Sequence, residues 1–119
     1  MDAVTYIKDI LQILPENSNI IIYTTDNELN FKLPNIVLDI LEKDRKFQMK
    51  NNLENRTTFF LSINAHNIID RIEIKQNNEL LFEGYDGMEF GTISKKTTLP
   101  VFFIENYIKG DMCMISKDW

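Results

Sequence analysis

The sequence predicts an α+β fold: an antiparallel β-meander sheet of about five to six strands, with an N-terminal helix and two short helices packed on it. Three observations predict it. Apolar residues recur at helical spacing near the start of the chain and stop at Pro15. Period-two alternation runs through its middle, broken by the turn signals Asn77-Asn78 and Asp86-Gly87. Two further prolines, Pro34 and Pro100, each stand ahead of a short apolar stripe. With 119 residues the chain is read as a single domain, 1–119.

Residues 2–14 place Val4, Ile7, Leu11 and Leu14 on one helical face, with Ile10 beside them and Asp2 as N-cap. Pro15 ends this helix, because the residue before a proline is pushed out of the α region. "NIIIYTT" (19–25) reads as a buried strand and "DNELNFKL" (26–33) as its hairpin partner. "LPNIVLDILEKD" reads as a short helix, with Ile36, Val37, Ile40 and Leu41 on one side. The polar, basic "RKFQMKNNLENR" (45–56) reads as a mobile connection or a ragged edge strand. "TTFFLSIN" (57–64) and "NIIDRIEIKQ" (67–76) read as strands. Asn77-Asn78 tolerates the positive φ of a tight hairpin, and "ELLFEGYDG" and "MEFGTISKK" complete the meander. In the first of these strands, alternation puts Glu79, Leu81 and Glu83 on one side and Leu80 and Phe82 on the other.

Pro100 opens the last helix, with Phe103, Ile104, Tyr107 and Ile108 as its stripe and Gly110 at the C′ position. "MCMIS" (112–116) reads as a final strand, after which Trp119 folds back onto the body.

Composition narrows the class. Hydrophobic residues at 44% and charged ones at 26% describe a globular chain, not a disordered one. No apolar run approaches the roughly 20 residues that span a bilayer, so no membrane association is expected. The opening "MDAVTYIKDI" has no basic n-region and is not read as a signal peptide. A lone Cys113 allows no internal disulfide, which fits a cytoplasmic location.

Net charge is −5, and the acids are grouped. One group is Asp2, Asp9, Glu16, Asp26 and Glu28. The other is Asp70, Glu73, Glu79, Glu83, Asp86 and Glu89. A basic segment, with Lys43, Arg45, Lys46, Lys50 and Arg56, lies between them. Such a chain repels nucleic acid and attracts a basic partner, unless each acidic run is simply a solvated face.

Residue types that carry chemistry are scarce. His66 and Cys113 alone cannot make a zinc site, and "EGYDGMEFG" lacks the calcium-loop pattern. Cys113, between two methionines on a strand, reads as a small buried hydrophobe. Gly84, Gly87 and Gly91 match neither the dinucleotide fingerprint nor the P-loop, and Asp86 and Glu89 among them would repel a phosphate. No catalytic residue, cofactor or metal is therefore expected. The glycines serve backbone geometry: Asp86-Gly87 as a turn, Gly84 and Gly91 as bulges or close approaches.

What remains is the acidic face. Glu79, Glu83, Tyr85, Asp86 and Glu89 form the first candidate partner-binding group, with Asp26 and Glu28 second. Carboxylates steer a cationic protein, and a tyrosine anchors it.

The size, the acidity, the order of helices and strands, and the closing "FFIENYIKGDMCMISKDW" resemble the immunity proteins that neutralise bacterial contact-dependent or polymorphic toxins. That resemblance implies stoichiometric inhibition, without catalysis, of a basic toxin domain, commonly a nuclease, by acidic side chains. The second reading is a structural or regulatory homodimer paired through an edge strand. The third is a small-ligand-binding domain.

Overall fold

The computed structural model describes residues 3–29, 31, 36–42, 44–63 and 68–119. The fold is α+β, with helices packed against one face of a mostly antiparallel sheet of seven strands. Helix α1 spans Ala3–Ile13 and buries Ile7, Ile10 and Leu11 of the expected stripe together with Tyr6, which the spacing does not include. Val4 is half-buried, and Leu14 is buried just past the helix end, before Pro15. Asp2, the expected cap, lies outside the described residues.

Strands β1 (Asn19–Thr24), β2 (Val37–Ile40), β3 (Arg45–Lys50), β4 (Arg71–Gln76), β5 (Glu79–Tyr85), β6 (Phe90–Ile93) and β7 (Cys113–Ile115) stand in the order β2-β3-β1-β4-β5-β6-β7. The run β4-β5-β6 is the predicted meander. Asn77 and Asn78, at φ 51° and 65°, make its first turn as the sequence requires. The β6–β7 pair is parallel. It is bridged by a short helix α3 (Val101–Phe103) that runs into a π-helical turn (Ile104–Ile108), the crossover that parallel neighbours need.

Two segments exchange their expected roles. Val37–Ile40, expected as a helix, is an edge strand paired to β3, with Leu38 opposite Phe47 and Ile40 opposite Arg45. Of residues 57–64, expected as a strand, 57–62 belong to helix α2 (Leu53–Ser62), Ile63 is its C-cap, and Asn64 lies outside the described residues. Asn52 caps α2 by accepting a hydrogen bond from the Asn55 amide at 2.8 Å. This helix buries only Asn55 and Phe59, so it has no apolar stripe to betray it. The basic segment is accordingly ordered, forming β3 and then the start of α2. Residues 26–29 form a turn, not a returning strand, and β1 pairs with β3 and β4 instead.

The core lies between the sheet and the helices. One aromatic group joins Tyr6, Phe82, Phe103 and Tyr107, and another joins Phe31, Phe47 and Phe59. A buried polar hub ties the layers together. Asn51 Nδ2 donates to the Leu11 carbonyl at 3.1 Å and its Oδ1 accepts from Arg56, which also pairs with Glu16 at 2.8 Å. At the C-terminal end the left-handed residue is Asp111, not Gly110, at φ 59°. Trp119 does fold back, its carbonyl accepting from the Lys95 amide at 2.7 Å.

Candidate partner-binding surface

With its helices on one face, the sheet leaves the other uncovered, and alternation decides which side chains stand there. Along β5, Phe82 and Gly84 are buried while Glu83 and Tyr85 point outward. Across the next strand pair, Phe90 lies opposite Tyr85 and Thr92 opposite Glu83. The two rings sit 6.3 Å apart, and Phe90 is exposed.

The turn between these strands is built by three successive left-handed residues: Asp86 at φ 54°, Gly87 at 66° and Met88 at 69°. Met88 tucks its side chain into the core, where it is 1% exposed. It lies so close to Gly84 that a Cβ there would meet Met88 Cε at 2.5 Å. With Met88 as its anchor, the turn holds Asp86 and Glu89 out in solvent. Gly84 is thus a close-approach position; the one register shift lies on β5 at Leu81, between the Lys75–Leu80 and Ile74–Phe82 pairs.

That shift corrects the expected facing of β5. Leu80 lies opposite Lys75 and Glu79 opposite Gln76, so Glu79 does not share the face of Glu83. Glu79 also sits at the other end of the strand, roughly 20 Å from Tyr85 at the usual rise per residue. There its carboxylate lies 4.0 Å from Lys96 Nζ, beside an open cleft of about 350 Å³ shared with Ile13, Pro15, Gln76 and Leu81.

Asp26 and Glu28 follow β1 and come to the same end of the sheet as the 86–88 turn, linked to it through Asp70. The Asp70 carboxylate accepts from the Thr25 amide at 2.8 Å, and its carbonyl accepts from the Gly87 amide at 3.3 Å. Asp26 spends its carboxylate on backbone: Oδ1 accepts from the Glu28 amide at 2.9 Å and Oδ2 from the Ile68 amide at 3.2 Å. Glu28 itself is exposed. The structure therefore gathers Glu83, Tyr85, Asp86 and Glu89, sets Asp26 and Glu28 at their end of the sheet, and separates Glu79. Phe90 is the member that sequence reasoning missed; its position opposite Tyr85 across an Asp-Gly turn is the signal that could have found it.

The uncovered face has two electrostatic halves. On β1, β3 and β4, Tyr23 lies under Arg71 at 4.1 Å and Lys46 at 5.8 Å. Glu73 lies 3.6 Å from Arg71 and 3.9 Å from Lys75. Burial, with a hydrogen bond to Glu73, raises the Tyr23 hydroxyl pKa. On β5, β6 and their turn, no basic side chain among the described residues comes within 4.0 Å of Glu83, Asp86 or Glu89. The basic segment is largely occupied within the chain: Arg45 donates to the Asp26 and Leu29 carbonyls, and Arg56 to Asn51 and Glu16.

Among the described residues, no group of three or more His, Cys, Asp or Glu side chains is placed to hold a metal ion. His66 lies outside them. Cys113 is buried, and burial pushes its thiol pKa up to about 11, so it is protonated at neutral pH. Among the described residues no helix is long and apolar enough to cross a membrane.

Fold and surface together define an α+β domain with one open sheet face, acidic along one flank. No family model matches the chain, and no curated protein or solved structure does so.

Proposed function

We propose that this chain is a protein-binding domain without catalytic activity, and specifically a cytoplasmic immunity protein that neutralises a basic toxin domain. One observation carries the reading: Glu83, Asp86 and Glu89 flank the half-buried Tyr85 and the exposed Phe90 along β5, β6 and their turn, with no basic side chain of the described residues within 4.0 Å of them. Unneutralised carboxylates around an aromatic pair supply both halves of protein recognition. Charge accelerates encounter, and the rings bury area once water is expelled. The resemblance of the chain to immunity proteins, in size, acidity and closing segment, supports the choice of partner class.

The test starts from the genes that flank this chain in its native genome, each toxin-like product being made with and without the chain in a sensitive host. Co-production is expected to restore growth, and the complex to associate more slowly at high salt. The triple variant Glu83→Lys, Asp86→Lys, Glu89→Lys is expected to fold normally and protect at least tenfold less well. Absence of protection by the unaltered chain overturns the reading.

A further inference from the structure

The edge strand β2 carries a feature that the acidic flank does not use. Val37 is 54% exposed, Leu38 44% and Ile40 79%, although all three are strong strand-forming or apolar residues at the end of a seven-stranded sheet. Sheet edges are normally blunted by lysine, proline, a bulge or a covering element. Val37–Ile40 contains no lysine or proline, its pairing to β3 runs without a register shift, and among the described residues no strand flanks its outer side. Such an edge offers amides and carbonyls unpaired within the sheet, a template on which another extended strand can replace water.

We propose that this strand is a second copy of β2, paired antiparallel about a two-fold axis at Leu38. The argument is one of self-complementarity. A two-fold perpendicular to the sheet keeps each residue on its own face, so only residues an even number apart can stand opposite. On the helix side the order is Ile36, Leu38, Ile40, which reads the same in both directions. Centred on Leu38, each Ile36 meets Ile40 of the second copy and the two Leu38 side chains meet each other. On the open face Asp39 meets Val37 of the second copy, so the two carboxylates are not opposed.

Neighbouring registers are worse. Centred on Asp39, two carboxylates stand directly opposite. Centred on Ile40, Leu38 faces Glu42. Centred on Val37, the ladder draws in Pro34, which has no N–H to donate. In the Leu38 register the acidic tips at Glu42 and Asp44 lie at opposite ends of the pair and do not repel. The result is one continuous sheet through both copies. The β5–β6 flank lies four strands from the joint, so a dimer presents two acidic surfaces and does not depend on what they bind.

Sedimentation of the purified chain alone tests the association, across a concentration range and without any partner. A reversible dimer is expected, weakened at least tenfold by Ile40→Lys, whose site is exposed enough to leave folding intact. Register is tested by oxidative cross-linking with copper–phenanthroline. Directly opposed residues have Cα atoms about 4.5–5.5 Å apart, within disulfide reach. Leu38→Cys is therefore expected to yield a covalent dimer, while Ile40→Cys, displaced four residues from its own copy, is not. The native Cys113 is buried and does not compete. A monomer at every concentration overturns the proposal, as does a dimer that cross-links through Ile40→Cys or ignores Ile40→Lys. Loss of the dimer with toxin protection intact would remove this inference and leave the functional reading standing.

Discussion

The Tyr107 hydroxyl donates a 2.5 Å hydrogen bond to Asp9 Oδ2, joining the C-terminal π-helical turn to the first helix across 98 residues of sequence. The turn makes this reach feasible. Its bonds run from Lys109 N–H to the Ile104 carbonyl and from Met112 N–H to the Tyr107 carbonyl, each spanning five residues. The Tyr107 ring is thereby set 4.9 Å from Tyr6 and 4.8 Å from Phe103. A charge-assisted bond of this kind contributes about 1.5–3 kcal/mol when its donor is removed. Tyr107→Phe is expected to lower the unfolding free energy by that amount, read as a lower urea midpoint at an unaltered slope. Asp9→Ala should cost similarly, and the double variant little more than either, as a mutant cycle would measure.

Gly91 and Gly84 are both tight positions, but their surroundings differ. A Cβ at Gly91 would collide with the Tyr6 hydroxyl and approach two atoms of the Phe82 ring to 2.8 Å, all of them rigid and fully buried. At Gly84 the obstacle is the end of the flexible Met88 side chain. Gly91→Ala is expected to destabilise by about 3 kcal/mol and Gly84→Ala by about 1 kcal/mol. Thermal unfolding ranks them directly. Adding Tyr6→Phe to Gly91→Ala should recover only part of the loss, since the Phe82 contact persists.

These glycines also show how far the sequence could be read. The meander was legible because β4 and the second half of β5 alternate and Asn77-Asn78 and Asp86-Gly87 permit the positive φ of their turns. Helix α1 was legible from spacing and Pro15. The exchange between β2 and α2 was not. Ile36, Val37, Ile40 and Leu41 satisfy a helical template as well as a strand, and only pairing with β3 decides. In α2, Leu53 and Leu61 face solvent and Phe59 is the buried apolar side chain, with Phe60 half-buried beside it, so periodicity pointed to the wrong element. The Asn52 cap was the available signal. Asn51, a buried hub, is indistinguishable in sequence from its polar neighbours. Of the surface, the grouping of Glu83, Tyr85, Asp86 and Glu89 was readable from alternation. The bulge that turns Glu79 away depends on cross-strand register and was not.

Stability above pH 9 should depend on Cys113. Burial lifts its pKa from an ordinary value of 9.0 to about 11. Between these values the unfolded chain has released the proton and the folded chain has kept it. The unfolded state then binds fewer protons, and stability falls as pH rises. The contribution is whole below about pH 9 and lost above about 11, a change of about 2–3 kcal/mol. Tyr6, also raised by burial and by the neighbouring Cys113, adds a loss of the same sign from about pH 10 upward. Urea titrations at pH 8 and 10.5 are expected to differ in midpoint, and less so for Cys113→Ala. In the native state the thiol should resist alkylation at pH 8 and react once unfolded.

The acidic candidates should separate by what their carboxylates already hold. Asp26 accepts two backbone N–H groups, from Glu28 and Ile68, so Asp26→Ala leaves both without their partner and loosens the loop between β1 and the start of β4. A cost of about 1–2 kcal/mol is expected. Glu83, Asp86 and Glu89 hold no described ion pair, and Asp86 and Glu89 are exposed, so single substitutions there should stay within about 0.5 kcal/mol. Glu83→Gln should even gain slightly, because Glu83 stands directly opposite Glu73 on the uncovered face. A partner reading the flank would reverse this ranking: Asp86 and Glu89 would dominate association, and Asp26 would matter only through folding. Unfolding midpoints measured beside association rates distinguish the two. If Asp86→Lys and Glu89→Lys leave the rate unchanged at low salt, the flank is a solvated surface and the partner sits elsewhere.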